Sequence, residues 1–241
     1  MSRISVRRVK AIVVKELREY RHNGTIVVSM GILPLLLCVQ PLIVVFGLSS
    51  SASAQLRHEH VLLYLLIIPA VVPSVVASYS VVGERLQGAL EPVLTTPITR
   101  AELLLGKAAA AFLPSVLVAY AVFGVFVGLV EGFARPGIAA SVIIAPDLIA
   151  QLVFTPLLVG WSIWLSIAVS TRCTDPRTAQ QLGILAMAPT AIITVVIATH
   201  GIPPTLLVAL SAGGALLIFN RLGWTLASRL FNRERLITST R

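Results

Sequence analysis

Long uncharged apolar runs constrain the fold of this chain more than any other feature. About 20 apolar residues in a helix cross the hydrocarbon core of a bilayer, and five charge-free runs are 21 to 24 residues long. A sixth run is extended through Arg221, whose long side chain can reach the membrane interface. The predicted spans are 25–48, 61–82, 108–130, 148–170, 179–199 and 204–222. We expect one all-α integral membrane domain over residues 1–241, since helices satisfy their backbone groups in lipid.

The composition excludes a soluble globular enzyme. Charged residues make up 12% of the 241 residues, about half the 25% of an ordinary soluble domain, and the mean hydropathy is +0.91. The net charge of +9 would suggest nucleic acid as a partner of a soluble protein. Here the positive residues lie in short segments between apolar runs, so the predicted partner is the lipid bilayer and not nucleic acid.

The distribution of Lys and Arg predicts the orientation. Positive residues accumulate in cytoplasmic loops of membrane proteins. Alternate segments hold 17 of the 19 Lys and Arg, and the remaining two are Arg57 and Arg135. We expect a multi-pass plasma-membrane protein with both termini in the cytoplasm and residues 136–146 as an outer interfacial or re-entrant helix. The predicted cytoplasmic segments are 1–24, 83–107, 171–178 and 223–241, the last following a span whose end carries Arg221.

The predicted spans lack the residues of membrane-embedded chemistry. None contains Asp, Glu, Lys or His, which disfavours a proton-coupled transporter or an intramembrane metalloprotease. His58-Glu59-His60 does not have the spacing of a zinc-binding H-E-x-x-H helix. Gly106-Lys107 lacks the first glycine and the hydroxyl of a phosphate-binding loop. We therefore expect no catalytic residues, no metal site, no cofactor and no ATP site in this chain.

Residues 3–21 form an amphipathic pattern. Basic residues lie opposite a narrow apolar stripe on a helical wheel, as in helices that lie along a membrane surface. We expect an interfacial helix with its stripe toward acyl chains and its basic side toward anionic headgroups. The stripe consists of Val6, Val9, Val13, Leu17 and Tyr20.

A glycine series in the third predicted span allows two interpretations. Gly124, Gly128 and Gly132 recur every four residues, a spacing that lets a second helix approach closely. That helix belongs either to the same bundle or to another subunit.

The segment after the second predicted span is the other distinctive cytoplasmic element. Leu86, Leu90, Val93 and Leu94 follow the i, i+4, i+7, i+8 spacing of a helix with one apolar edge. An apolar edge exposed to the cytoplasm predicts a protein partner.

These two cytoplasmic segments resemble those of the permease subunit of type 2 ABC transporters. That family typically carries Lys-Glu-Leu-Arg before the first span, here Lys15-Glu16-Leu17-Arg18. It also carries a series after the second span, matched here by Glu84-Arg85, Gly88-Ala89-Leu90-Glu91, Pro97 and Gly106-Lys107. The resemblance implies a connecting helix over Lys15, Glu16, Leu17 and Arg18. It also implies a coupling helix that docks in a separate ATPase through Glu84, Arg85, Leu86, Gly88, Leu90, Glu91 and Leu94.

The function implied by this resemblance is that of the membrane subunit of an ATP-driven exporter. Two cytoplasmic ABC ATPase subunits would bind ATP and Mg²⁺, and a second copy or a related permease would complete the membrane part. Residues 199–203 leave little room for the external element of the polysaccharide and sterol branches. The uncharged spans fit an amphipathic, hydrophobic or peptide-like substrate, and an ion is the alternative. Candidate pathway residues are the polar groups Gln40, Ser74, Ser78, Thr190 and Thr194. The alternative is a membrane-embedded lipid-modifying enzyme or a membrane assembly factor.

Overall fold

The computed structural model describes residues 4–47, 60–86, 98–198 and 205–230, which are helical and contain no strand. Six helical stretches are long and apolar enough to cross a membrane. The predicted all-α, six-helix membrane fold is therefore confirmed. The helices are α1 (Val6–His22), α2 (Gly24–Gly47), α3 (Ile67–Leu86, after a 3₁₀ turn at Val61–Leu66), α4 (Arg100–Phe133), α5 (Pro136–Val142), α6 (Ala145–Ser170), α7 (Pro176–Gly183), α8 (Ala188–Ala198, after a 3₁₀ turn at Ile184–Met187) and α9 (Leu206–Leu230).

Local signals in the sequence fix where the long helices begin. Thr99 caps α4 in a capping box, because its hydroxyl accepts the Glu102 amide while the Glu102 carboxylate accepts the Thr99 amide. Pro146 lies in the first turn of α6, where its missing N–H leaves no helical bond unmade. Both helices start before the charge-free runs that predicted them. Three buried ionisable residues consequently lie in the first turns of these two helices: Glu102, Lys107 and Asp147.

Helix α3 occupies the centre of the bundle. Its span from Val61 to Ser78 is 89% buried, whereas that of α9 is 11% buried. Helices α2, α4, α6 and α7 surround α3, and α9 packs mainly on the outside of α6. Glycines permit that outer contact, because a Cβ at Gly223 would lie 2.7 Å from Cβ of Trp164.

Helix α1 packs on the first half of α4. Its buried residues are Ile12, Glu16 and Tyr20, and the half-buried Val13 and Leu17 pack against the same core. Much of the apolar stripe therefore faces protein instead of acyl chains, while Val6 at its start is 80% exposed. The basic side of α1 remains outward, with Arg7, Lys10 and Arg18 exposed.

The segment after α4 and the glycine series of α4 differ in their packing. Ile138 and Val142 of α5 are buried in the main core, so this short helix lies against protein. Gly124, Gly128 and Gly132 are exposed, and a Cβ at any of them would meet no atom within 4 Å. Among the described residues, therefore, no helix of the bundle packs into this glycine series.

Candidate functional site

A buried ion pair joins the connecting helix to the third span. Lys107 Nζ of α4 donates to Glu16 Oε1 of α1 at 2.8 Å, and the two side chains are 0% and 2% exposed. The Tyr20 hydroxyl donates to the other carboxylate oxygen, Glu16 Oε2, at 3.1 Å. Both oxygens of Glu16 thus have partners, which a buried carboxylate requires. The pair brings together two parts of the family-like pattern, Lys15-Glu16-Leu17-Arg18 and Gly106-Lys107, that are 91 residues apart.

Gly106 allows this junction to form. A Cβ at Gly106 would lie 2.6 Å from Cγ2 of Ile12, closer than real Cβ atoms approach a neighbour. The absence of a side chain lets α1 lie directly on α4, so that the next residue, Lys107, reaches Glu16. The Gly106-Lys107 dipeptide therefore has a helix-packing role.

Glu102 forms a second connection between α1 and α4. Its carboxylate accepts the backbone amide of Ser5 at 2.8 Å and that of Thr99 at 2.8 Å. Arg8 approaches the same carboxylate at 3.4 Å. The buried Glu102 side chain therefore caps α4, accepts a hydrogen bond from the backbone just before α1 and compensates the charge of Arg8. Lys107 lies about one and a half turns beyond Glu102 on α4, so the Glu102 contacts and the Glu16–Lys107 pair attach α1 to α4 at two points.

The predicted coupling residues divide between described and undescribed parts of the chain. Glu84, Arg85 and Leu86 lie on the last turn of α3, so the central helix of the bundle leads directly into this segment. Gly88, Leu90, Glu91 and Leu94 lie outside the described residues. Of the connecting-helix residues, Glu16 is buried in the ion pair, Leu17 is half-buried, Lys15 contacts Glu19 at 3.1 Å, and Arg18 is exposed.

The candidate pathway residues lie on three helices, α2, α3 and α8. Ser74 and Ser78 are fully buried in α3, where their hydroxyls donate to Val71 O and Ala179 O. Thr190 and Thr194 are buried in α8, and among the described residues the Thr190 hydroxyl has no hydrogen-bond partner. Gln40 is exposed on the outer surface of α2.

Sequence reasoning missed a row of buried polar side chains along α6. The row faces α3, since Gln151 donates to Leu62 O, Ser162 to Ala70 O and Ser170 to Ser78 O. Spacings of four and seven residues could have revealed it, because they place side chains on one helical face. The whole row is Asp147, Gln151, Thr155, Ser162, Ser166 and Ser170.

A second charged contact lies at the start of α6, at the end of the bundle opposite to the Glu16–Lys107 pair. His60 Nδ1 is 2.9 Å from Asp147 Oδ1, with the two side chains 16% and 4% exposed. The other carboxylate oxygen, Asp147 Oδ2, is buried and has no hydrogen-bond partner in the part of the chain that the structure describes. His60 has φ 46°, in the left-handed region that non-glycine residues seldom adopt. Within the ranges described above, no three His, Cys, Asp or Glu side chains are grouped as metal ligands.

The short loop between α6 and α7 carries the second cysteine. Cys173 is buried against Val82 and Ala179. Burial raises the pKa of the Cys173 thiol, and the nearby Asp175 carboxylate raises it further. Asp175 also caps α7 by accepting the Thr178 amide at 3.0 Å.

The cluster at the start of α1 and α4 therefore fastens helices together. Its charged groups are paired with one another, and its one glycine serves close packing. A family model described as ABC-2 family transporter protein matches residues 16–174 of the chain. The chain belongs to the ABC-2 transporter family. A search of curated proteins gives no significant match.

Membership of the ABC-2 family identifies the chain as a transport subunit. Such a permease is a multi-pass membrane protein that works with ABC ATPase subunits, in which ATP is hydrolysed, and it dimerises in the membrane. The match begins at Glu16 and ends at Thr174, so it includes the Glu16–Lys107 junction and the α3–α6 contact of the ABC-2 permease.

Proposed function

We propose that this permease serves an ATP-driven exporter and that the α1–α4 junction transmits movement from the ATPase to the spans. The observation that carries the proposal is the buried Glu16–Lys107 pair at 2.8 Å. Together with the Glu102 contacts to Ser5 and Thr99, it makes α1 and the start of α4 one unit. A movement of either helix would therefore move the other.

Along the chain, the predicted coupling segment connects the central helix α3 to this unit. It begins with Glu84 and Arg85 on the last turn of α3 and precedes Thr99, which caps α4. An ATPase that moves the segment would pull on α3 at one end and on the α1–α4 unit at the other. The roles of Leu86, Gly88, Leu90, Glu91 and Leu94 in ATPase docking remain part of this proposal.

The proposed assembly contains two permeases and two ATPase subunits. Each ATPase supplies the ATP and Mg²⁺ sites, and the second permease is another copy of this chain or a relative. The exposed amide of Gln40 on α2 supports a second subunit or a substrate pathway at that surface, because an unpaired amide facing lipid costs several kcal/mol. Both termini would be cytoplasmic, and the substrate would be amphipathic, hydrophobic or peptide-like.

Copurification tests this proposal directly. The chain with an affinity tag is coexpressed with an ABC ATPase encoded beside its gene and purified in mild detergent. We expect a complex of two permease and two ATPase chains that hydrolyses ATP. A complex that contains one six-helix subunit and no related permease, or stable permease that fails to retain the ATPase, would contradict the proposal.

A further inference from the structure

The outward face of α1 carries cations that the bundle does not neutralise. Arg7, Lys10 and Arg18 are exposed, and among the described residues no carboxylate forms an ion pair with any of them. Their spacing places them on one helical face. Val14 lies between them on the same face and is 48% exposed. Helix α1 therefore presents a basic face with an apolar centre.

This face forms an open groove of about 550 Å³, the α1 groove, which extends from Arg7 to Glu19. Its charged lining residues are the cations Arg7, Lys10, Lys15 and Arg18 and the carboxylate of Glu19. Glu19 contacts Lys15 at 3.1 Å, so the charge of this carboxylate is compensated by that lysine. The other three cations leave the α1 groove positive, and it therefore fits an anionic group.

The contacts of α1 with α4 fix the direction in which the α1 groove faces. The Ser5–Glu102 hydrogen bond and the Glu16–Lys107 pair hold the opposite side of α1 on α4. At 1.5 Å per residue, these contacts are about 16 Å apart along α1 but only about 8 Å apart along α4. Helix α1 therefore crosses the start of this span obliquely, with its basic face directed away from the bundle.

The α1 groove lies close to the point where the chain enters the membrane. A single residue, Asn23, separates α1 from the first apolar helix, α2. Val27 and Val28, near the start of α2, are 50% and 55% exposed, as expected for side chains that face lipid. Arg18 precedes the start of α2 by about two helical turns. The end of the groove is therefore at the height of the lipid headgroups.

We propose that the α1 groove is a binding site for the headgroups of anionic phospholipids. Lys and Arg residues next to a membrane attract anionic lipids, and Val14 offers an apolar contact for the part of the lipid beneath the phosphate. Much of the apolar stripe on the other side of α1 packs on protein, so binding depends on headgroup charge and not on insertion of that stripe among acyl chains. The site belongs to the permease alone and does not rest on the proposed function.

Titration of the purified permease with a short-chain lipid tests the site. Dihexanoyl phosphatidylglycerol is added in an uncharged detergent, bound lipid is measured by native mass spectrometry, and dihexanoyl phosphatidylcholine is the zwitterionic control. The groove variant combines Arg7→Gln, Lys10→Gln and Arg18→Gln. We expect it to bind phosphatidylglycerol at least roughly tenfold more weakly than the wild type, because each cation near an anionic lipid surface contributes roughly fivefold. Binding of phosphatidylcholine should be the same in both proteins.

Two further variants separate the α1 groove from the overall charge. Arg172→Gln with Arg177→Gln and Arg229→Gln removes the same charge from exposed positions outside α1, and should bind phosphatidylglycerol within roughly twofold of the wild type because the groove is intact. Arg7→Lys with Arg18→Lys retains the charge of the groove and should also bind it. Since salt screens exposed charges, raising the NaCl concentration from about 0.1 M to about 0.5 M should weaken wild-type binding at least roughly fivefold.

Three results would overturn the lipid site. Unchanged phosphatidylglycerol binding by the groove variant would mean that these cations are only solvated or, if that variant also fails to retain the ATPase, that the groove is an ATPase contact. Equal losses in the groove variant and in the variant of Arg172, Arg177 and Arg229 would mean that the lipid responds to net charge alone. Loss of folded protein in the groove variant would assign its cations to folding. If the wild-type permease binds no ATPase, the proposed function fails while the lipid result stands.

Discussion

The two ends of the bundle carry buried charge in different ways. At one end, the Glu16–Lys107 pair is almost fully buried, and both carboxylate oxygens have partners. At the other end, His60 is partly exposed, and the described residues supply no hydrogen-bond partner to Asp147 Oδ2. The first contact therefore satisfies both oxygens of its carboxylate, whereas the second satisfies one.

This difference predicts that the Glu16–Lys107 contact is harder to break than the His60–Asp147 contact. Truncating one partner of a buried ion pair leaves a charge without compensation. A half-satisfied pair with access to water loses less when it is broken, because solvent replaces the missing partner. The end that holds the family-like residues is therefore the more rigid one, as the proposed junction between an ATPase and the spans would require.

Lys107→Ala should produce the largest loss of stability. It leaves Glu16 buried without its cation, and we expect the free energy of unfolding in mixed micelles to fall by about 3–5 kcal/mol. Lys10→Ala, which removes an exposed lysine of α1, should change it by less than about 0.5 kcal/mol. The double variant Glu16→Gln with Lys107→Met retains an acceptor for Tyr20 and should recover more than half of the loss. Equal values for Lys107→Ala and Lys10→Ala would show that the pair contributes nothing.

Asp147→Ala should have a smaller effect at the opposite end. It removes the partner of His60, whose partly exposed side chain can be solvated instead, so we expect a loss of about 1–3 kcal/mol in the same unfolding measurement. A loss as large as that of Lys107→Ala would remove the proposed distinction between the two ends.

Thiol labelling decides which end faces the cytoplasm. Thr174 is exposed in the loop between α6 and α7. In a Cys173→Ser background, Thr174→Cys should react with an impermeant maleimide in inverted vesicles and not in intact cells. The native Cys173 is buried with a raised pKa, and since thiolate is the reacting form, it should react at least roughly tenfold more slowly. Labelling of position 174 from outside intact cells would reverse the predicted orientation.

Glu19→Gln should have the smallest effect of the series. Its carboxylate is 48% exposed and contacts Lys15 at 3.1 Å, and such surface pairs contribute about 0–1 kcal/mol. We expect unfolding to change by less than about 0.5 kcal/mol. A larger loss would mean that charge on the outer side of α1, as well as buried charge, holds this helix in place.

The fold could be predicted because each span must be apolar and about 20 residues long. However, the start of a charge-free run is not the start of the helix, which depends on the capping residues. Helix α4 starts at Arg100 because Thr99 and Glu102 cap it, which places Lys107 inside a helix that the hydropathy pattern begins at residue 108.

The contacts of the candidate site could not be predicted from the sequence. Glu16 and Lys107 both belong to the family-like pattern, yet nothing local in the sequence pairs two residues 91 positions apart. The serine row of α6 was missed for a related reason. A serine carries no net charge, and its importance depends on which carbonyl of α3 lies opposite, a property of the packed bundle.

The most direct test of the central claim is charge reversal in the coupling segment of the permease–ATPase complex. Glu91→Arg changes a residue in a predicted cytoplasmic loop, so membrane insertion should survive, whereas a reversed charge at a docking surface costs several kcal/mol. We expect wild-type amounts of inserted permease that either retain at least roughly tenfold less ATPase or hydrolyse ATP without transport. Glu131→Arg, at an exposed position at the far end of α4, should retain normal ATPase binding. Full ATPase binding and full transport by Glu91→Arg would contradict the account.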